Sequence, residues 1–207
     1  MCGIIGYRPL LGGDSDSQIE GFRRLFEQSC IRGLHAYGIA DANGVFRSFH
    51  AHEIIEHFDP NKHTIAHARY CQSGDWRVLE NNQPIVVDNM SFAMNGVISM
   101  GTKEEYEAEF GVTCTVDNDS EIFLRKIEGV QTTEAVIHRA HDFIETIRGS
   151  FAGTFLVNGR LFAGRNARRP LWKCLRYGAR WYASTEDIFR RAGFVGAEQV
   201  AIGVEIA

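Results

Sequence analysis

A cysteine stands second in the chain, directly before glycine and a short apolar run, in the opening MCGIIGY at residues 1–7. A small residue after the initiator methionine normally permits removal of that methionine, so we expect the mature chain to begin with Cys2. A free α-amino group titrates at about 7.7–8.0 and is therefore partly unprotonated at neutral pH, where it could take the thiol proton. One residue would then supply a nucleophile and its base. The position also fits a small core residue at the start of a strand, because free cysteine is often buried.

Three further places carry side chains suited to chemistry, and each also has an ordinary interpretation. Arg69 in AHARYCQSG fits a surface ion pair, and Asp119 in NDSEIF fits the cap of the helix that follows it. Asn95-Gly96 in MNGVI fits a tight hairpin turn. Taken singly, none of these residues specifies a function.

The order of the short blocks is more specific than any one of them. They are CGIIGY at 2–7, RGLHAYGIA at 32–40, AHARYCQSG at 66–74, NNQPI at 81–85, MNGVI at 94–98, NDSEIF at 118–123, GSFAGTFL at 149–156, RNARRPLW at 165–172 and YASTEDIF at 182–189. The series resembles the class II glutamine amidotransferases, which are the N-terminal nucleophile domains of glucosamine-6-phosphate synthase, amidophosphoribosyltransferase and glutamate synthase. The resemblance covers nearly the whole chain.

The resemblance implies a role for each of these residues. Cys2 matches the family nucleophile, which attacks the side-chain amide of glutamine to give a γ-glutamyl thioester and ammonia before water releases glutamate. The Asn95 side chain and the Gly96 amide match the oxyanion donors. Arg69 matches the arginine that pairs with the substrate α-carboxylate, a task suited to a planar guanidinium. Asp119 matches the aspartate that receives the α-ammonium group.

Other positions are given supporting roles only, and some depart from the family pattern. Arg32 matches the arginine of the RG block, and Tyr70 and Gln72 stand at the expected pocket rim. The family often has HNG where this chain has MNG, TRWAT where it has ARYCQ, and RGxDS where it has RGLHA. These changes leave the nucleophile, oxyanion and charge positions intact but alter the pocket rim. A related γ-glutamyl compound is therefore an alternative substrate to glutamine.

Composition excludes several other classes of function. The net charge of −4 over 207 residues argues against nucleic acid or an anionic membrane as a partner. No apolar run approaches the roughly 18 residues that span a bilayer, and no signal peptide is evident, so we expect a cytoplasmic protein. The five cysteines (Cys2, Cys30, Cys71, Cys114 and Cys174) contain no CxxC pair, which predicts neither a disulfide framework nor a zinc ribbon.

Neither a metal nor an organic cofactor is expected. The histidines between 50 and 67 lack the HExxH and paired CxxC/HxxxH spacings of metal sites. No Walker or Rossmann glycine loop is present. The basic run RNARR at 165–169 stands in a turn before Pro170, where it fits a solvated loop or a docking surface.

The elements that must position these residues are many short strands with interspersed helices. A helix is predicted from the apolar spacing of residues 15–33, with a capping box from Ser17 to Glu20. Asn43-Gly44 and Asn158-Gly159 predict two hairpins, the first with strands at 37–41 and 45–49. Further strands are predicted in KHTIAHARY, QPIVVD, MSFAMN, PLWKCLR, RWYAS and VAIGVEI, and helices at about 119–129, 132–148 and 185–192, with 98–118 irregular.

This pattern predicts an α+β class with antiparallel sheets in a single domain over residues 1–207. The resemblance implies more closely a four-layer αββα sandwich with the nucleophile at the start of a central strand. The expected function is a glutamine amidotransferase domain that releases ammonia for a separate synthase or ligase. Two alternatives stay open: a free-standing γ-glutamyl amide or peptide hydrolase, and a non-catalytic glutamine-binding or scaffold protein.

Overall fold

The computed structural model describes residues 2–71 and 74–207, which form two antiparallel sheets flanked by helices. The strands are β1 Gly3–Pro9, β2 Ala36–Asp41, β3 Gly44–Ser48, β4 Thr64–Arg69, β5 Ile85–Val87, β6 Met90–Met94, β7 Ala152–Val157, β8 Arg160–Arg165, β9 Trp172–Arg176, β10 Ala179–Ala183, β11 Glu198–Gln199 and β12 Gly203–Ile206. The helices are α1 Ser15–Cys30, α2 Ala51–Glu56, α3 Lys103–Phe110, α4 Glu121–Ile127, α5 Thr133–Thr146 and α6 Glu186–Arg191, with a 3₁₀ turn at Leu79–Asn81.

The two sheets stack between two helical layers. One sheet has seven strands in the order β11-β9-β10-β1-β4-β2-β3, and the other has five in the order β12-β8-β7-β6-β5. Apolar side chains of α1, α2 and α6 pack on the first sheet, and those of α3, α4 and α5 pack on the second. A third apolar layer, built largely from alanine, isoleucine and leucine, lies between the sheets. The α+β class and the αββα sandwich expected from the sequence are therefore confirmed.

Glycine at position 38 lets β2 of the first sheet lie close to the loop that leads into β5 of the second sheet. A Cβ atom added to Gly38 would lie 2.4 Å from the carbonyl oxygen of Gln83, so no larger residue fits there without a shift of backbone. Gly38 stands opposite His67 on β4, and that strand in turn pairs with β1. The close approach brings residues of both sheets into one pocket.

The hairpins and three predicted helices are confirmed. Asn158 and Gly159 take φ values of 52° and 73°, the positive values that a tight two-residue turn requires. The helices predicted at about 119–129, 132–148 and 185–192 correspond to α4, α5 and α6.

Two local predictions are wrong. The N-cap of α1 is Asp14, whose carboxylate accepts from the Ser17 amide, while Glu20 pairs with arginines instead of closing a capping box. The stretch predicted to be irregular contains α3, which begins with a capping box between Thr102 and Glu105. None of the described helices combines the length and apolarity that crossing a membrane requires.

Candidate active site

Residues from both sheets converge on one pocket at one end of the sandwich. Cys2 directly precedes β1, Arg69 ends β4, and Asn95 directly follows β6. Strands β1 and β4 are neighbours in the first sheet, where Gly3 stands opposite Ala68, whereas β6 belongs to the second sheet. The pocket is lined by Cys2, Arg69, Gly96, Asp119, His67 and Gln83, among others.

Cys2 is held at its nitrogen and at its sulfur. Its backbone nitrogen donates to Oδ1 of Asn95 at 3.2 Å. Its Sγ lies 3.4 Å from the amide nitrogen of Tyr70, which donates to it, and 3.6 Å from the Tyr70 carbonyl oxygen. Burial raises the pKa of the Cys2 thiol, and the Tyr70 backbone, Arg69 and Arg32 partly oppose that rise. The thiol at rest is therefore protonated, and attack on a substrate needs a base.

The carbonyl group of Cys2 is anchored by two side chains. Arg32 Nε donates to it at 3.1 Å, and Ser184 Oγ donates to it at 3.2 Å. Ser184 Oγ also accepts from the Ile4 amide at 2.8 Å. Arg32 thus supports the backbone of the nucleophile, and Ser184 is a second support that the sequence reasoning missed inside the YASTEDIF block.

The side-chain amide nitrogen of Asn95 is buried and unpaired among the described residues. Its Oδ1 accepts from Cys2, but its Nδ2 has no hydrogen-bond partner among the described residues, although the side chain is only 2% exposed. Buried polar groups are nearly always satisfied, and exceptions often mark functional sites. The free donor beside the Cys2 nitrogen is what an oxyanion site needs.

Gly96 follows in a segment that is not a hairpin turn. The amides of Asn95 and Val97 donate to the carbonyl oxygens of Ala152 and Ser150 at 2.8 and 2.9 Å. Successive amides of an extended segment point to opposite sides, so the Gly96 amide between them points away from residues 150–152. A Cβ atom at Gly96 would lie 2.1 Å from the Ser150 carbonyl oxygen, so the close approach demands glycine. The hairpin interpretation of Asn95-Gly96 is wrong.

Arg69 is buried at 3% exposure, which excludes the surface ion pair considered from the sequence. Its Nη1 donates to Asn82 Oδ1 at 2.7 Å and to the Asn81 carbonyl oxygen, and its Nη2 donates to Cys71 Sγ at 3.6 Å. These contacts fix the guanidinium plane in the pocket wall. The guanidinium therefore presents a rigid positive charge to whatever occupies the pocket.

Asp119 faces the pocket and not the helix after it. Its Oδ2 accepts from the amides of Ile98 and Ser99 at 2.6 and 3.2 Å. Helix α4 has Ser120 as its N-cap and, within the described part of the chain, no side-chain cap bond, so the capping interpretation of Asp119 is wrong. Burial raises the pKa of Asp119 to about 6, and the two amides and Arg69 limit that rise. Asp119 and Arg69 supply opposite charges to one pocket.

Two pocket residues were not singled out from the sequence. His67 is fully buried, its Nε2 lies 3.2 Å from the Met94 carbonyl oxygen, and burial lowers its pKa to about 3. Gln83 Oε1 accepts from the Met94 amide at 2.5 Å. The usable signal for His67 was its position two residues before Arg69, on the same face of β4.

Of the two residues predicted at the pocket rim, Tyr70 lies within the described part of the chain. Tyr70 has a half-exposed ring stacked on His35, with ring centres 5.3 Å apart, while its backbone contacts Cys2 Sγ. Gln72 lies outside the described residues. Across residues 2–71 and 74–207 there is no group of three His, Cys, Asp or Glu side chains that could hold a metal ion.

Comparison with known proteins gives matches at the level of structure. No family model and no curated protein matches the chain. Glutamine phosphoribosylpyrophosphate amidotransferase from B. subtilis, solved with ADP and GMP, superimposes with a TM-score of 0.66 at 19% identity, over 96% of this chain and 44% of its own. A glutamine aminotransferase class-II domain protein from Silicibacter pomeroyi gives a TM-score of 0.55 at 14% identity, over 100% of this chain and 95% of its own.

The chain thus has the fold of the class II, N-terminal nucleophile type glutamine amidotransferase domains. It spans less than half the length of the B. subtilis amidotransferase.

Proposed function

We propose that this protein hydrolyses the side-chain amide of glutamine through a thioester on Cys2, releasing ammonia and then glutamate. The observation that carries the proposal is the arrangement around Asn95, whose oxygen binds the nitrogen of Cys2 while its Nδ2 stays buried and unpaired among the described residues. A nucleophile and an oxyanion donor therefore stand side by side.

The reaction requires Cys2 to be the first residue, which follows if Met1 is removed. Its neutral amine takes the thiol proton, and the thiolate attacks the amide carbon of glutamine. The negative oxygen of the tetrahedral intermediate is stabilised by Asn95 Nδ2 and the Gly96 amide. The carbon–nitrogen bond then breaks, the ammonium of Cys2 returns the proton to the leaving nitrogen, and ammonia departs. Water attacks the thioester, giving glutamate and the free thiol.

The charged pair would hold the amino-acid end of the substrate. Arg69 supplies a buried guanidinium for the α-carboxylate, and Asp119 supplies a carboxylate for the α-ammonium group. Because the pocket holds two opposite charges at a fixed separation, it favours a substrate with both an α-carboxylate and an α-ammonium group over an amide with only one of these charges. Binding in this mode needs Asp119 ionised.

The ammonia acceptor would lie on a separate synthase or ligase. In the B. subtilis amidotransferase the shared fold is 44% of the chain, so more than half of that protein lies outside it. We place the acceptor chemistry of this protein outside the sandwich. The reaction needs a reduced Cys2 thiol, which the cytosol maintains, so we place it in the cytoplasm.

A second candidate is the hydrolysis of larger γ-glutamyl amides or peptides by the same thioester chemistry. It is favoured by the Tyr70 ring, which is 49% exposed although its backbone contacts Cys2 Sγ, so the site has an open aromatic rim. A non-catalytic glutamine-binding role is the third possibility.

One experiment separates the three. The released amine is measured, as ammonia from glutamine and asparagine and as aniline from γ-glutamylanilides, with Cys2→Ala as the inactive control. Glutamine as the best substrate supports the amidotransferase, and a better anilide or peptide supports the second candidate. Binding without any turnover supports the third.

A further inference from the structure

Strand β5 begins at Ile85, too late in the chain to complete the backbone ladder opposite Met94 at the end of β6. Its first residue, Ile85, pairs with Phe92 of β6, and the same register continued two residues back along the chain would pair residue 83 with Met94. The amide and carbonyl of one residue in an antiparallel strand point to the same side. Met94, the last residue of β6, therefore needs other partners for both groups on the side of β5.

Two pocket side chains replace the missing strand. Gln83 Oε1 accepts from the Met94 amide at 2.5 Å, and His67 Nε2 lies 3.2 Å from the Met94 carbonyl oxygen. A carbonyl oxygen can only accept, so Nε2 carries the imidazole proton and Nδ1 is the unprotonated nitrogen. Nδ1 is buried and has no hydrogen-bond partner among the described residues. Because β4 and β6 belong to different sheets, the His67 bond ties the sheets together.

We propose that His67 is a positioning residue for catalysis, which fixes the Met94–Asn95 peptide so that Nδ2 of Asn95 points at the reacting carbonyl oxygen. The proposal rests on the function proposed above. His67 acts through Asn95 and not on the substrate, because its proton is committed to Met94. A misplacement of about 1 Å in a catalytic group can cost on the order of 10² in rate.

The surroundings of His67 favour this neutral, donating form. Burial lowers the pKa of His67 to about 3, and Arg69 acts in the same direction. A second ring proton would sit on the buried Nδ1, which has no acceptor among residues 2–71 and 74–207.

Two substitutions that differ by one methylene test the role. In His67→Gln the amide nitrogen falls near the place of Nε2 and can still donate to Met94, whereas in His67→Asn it falls near Nδ1 and cannot. We expect His67→Gln to keep kcat for ammonia release within about threefold of the wild type, and His67→Asn to lose about tenfold or more with KM within about threefold. Equal losses in both variants, or a change in KM alone, would overturn the proposal.

A double-mutant cycle shows whether His67 acts through Asn95. In the Asn95→Ala background, His67→Asn should cost no more than about twofold in kcat, since the donor it positions is already absent. Independent losses that multiply would contradict the positioning role.

A nitrogen NMR spectrum of the histidines in the folded wild-type protein needs no activity and no variant that must fold. The proposal expects protonated Nε2 and unprotonated Nδ1 for His67 at neutral pH, and the opposite tautomer would overturn it. Failure of the proposed function is recognised separately, as absence of ammonia release by the wild type. In that case two NMR measurements test the inference: the tautomer of His67 in the wild type, and the Asn95 side-chain amide resonance in His67→Asn compared with the wild type. A shift of that resonance supports the positioning role, and an unchanged resonance contradicts it.

Discussion

The nitrogen of Cys2, which directly precedes β1 of one sheet, lies 3.2 Å from Oδ1 of Asn95, which directly follows β6 of the other sheet. The two ends of that amide have different tasks in the proposed reaction. Oδ1 orients the amine of Cys2, while Nδ2 is left for the oxyanion. The two tasks can be separated by substitution.

Asn95→Asp keeps an oxygen that accepts from Cys2 and removes the Nδ2 donor. We expect kcat for ammonia release to fall by about 10²–10³, the usual cost of one oxyanion donor, with a small change in KM. Steady-state kinetics with glutamine measure both constants. Asn158→Asp, at the tip of a distant hairpin with φ of 52°, is the matched control and should leave the kinetics unchanged. An unaltered kcat in Asn95→Asp would remove Asn95 from the oxyanion site.

Arg69→Lys should raise KM for glutamine by about tenfold or more and lower kcat less. An ammonium group cannot donate to Asn82 and Asn81 and also present two parallel donors to a carboxylate. Arg77→Lys, on an exposed side chain nearby in the chain, is the control. If the two variants give the same KM, the α-carboxylate is bound elsewhere.

The affinity for glutamine should fall at acid pH because Asp119 must be ionised to bind the ammonium group. Burial raises the pKa of Asp119 to about 6, so below that pH the free protein holds this carboxyl protonated, and binding must release the proton. In Cys2→Ala, which cannot turn over, calorimetric titration should show affinity dropping by about tenfold per pH unit below pH 6. Constant affinity from pH 7 down to pH 5 would contradict the assignment. Asp119→Asn should bind weakly without this pH dependence.

A glutamine-like electrophile, such as a diazo-ketone analogue, should label Cys2 and spare the other cysteines. Cys114 and Cys174 are buried, and burial raises the pKa of Cys30 to about 12. Cys71 Sγ donates to the Gly74 carbonyl oxygen at 3.2 Å and accepts a hydrogen bond from Arg69 Nη2. Peptide mapping after labelling gives the site, and Cys2→Ala should take up no label. Modification of another cysteine would count against Cys2 as the nucleophile.

Much of the fold could be predicted because its signals are local. Asn158-Gly159 specifies a tight turn, and apolar periodicity marks α1. Helix α3 was missed because only Tyr106 among its residues is buried, so it has almost no apolar face to detect. The cap of α1 was misplaced because Asp14 and Ser17 both suit that position, and only the structure shows which one accepts a bond.

The site was predictable only in part. Cys2, Arg69, Asn95 and Asp119 were predicted from the order of the short sequence blocks, because none of these positions specifies a function when taken singly. His67 and Gln83 were missed because their task depends on where β5 begins relative to β6, and the pairing register of two strands cannot be read from local composition.

Intact mass spectrometry of the active protein, before and after rapid acid quenching with glutamine, tests the central claim most directly. We predict that the active molecules begin at Cys2, and that quenched samples carry one γ-glutamyl group on that residue. The proposed amine base exists only in this processed form, because the nitrogen of Cys2 is a non-basic amide while Met1 is attached. Full activity in a preparation whose every molecule retains Met1, with no acyl group on Cys2, would contradict the account.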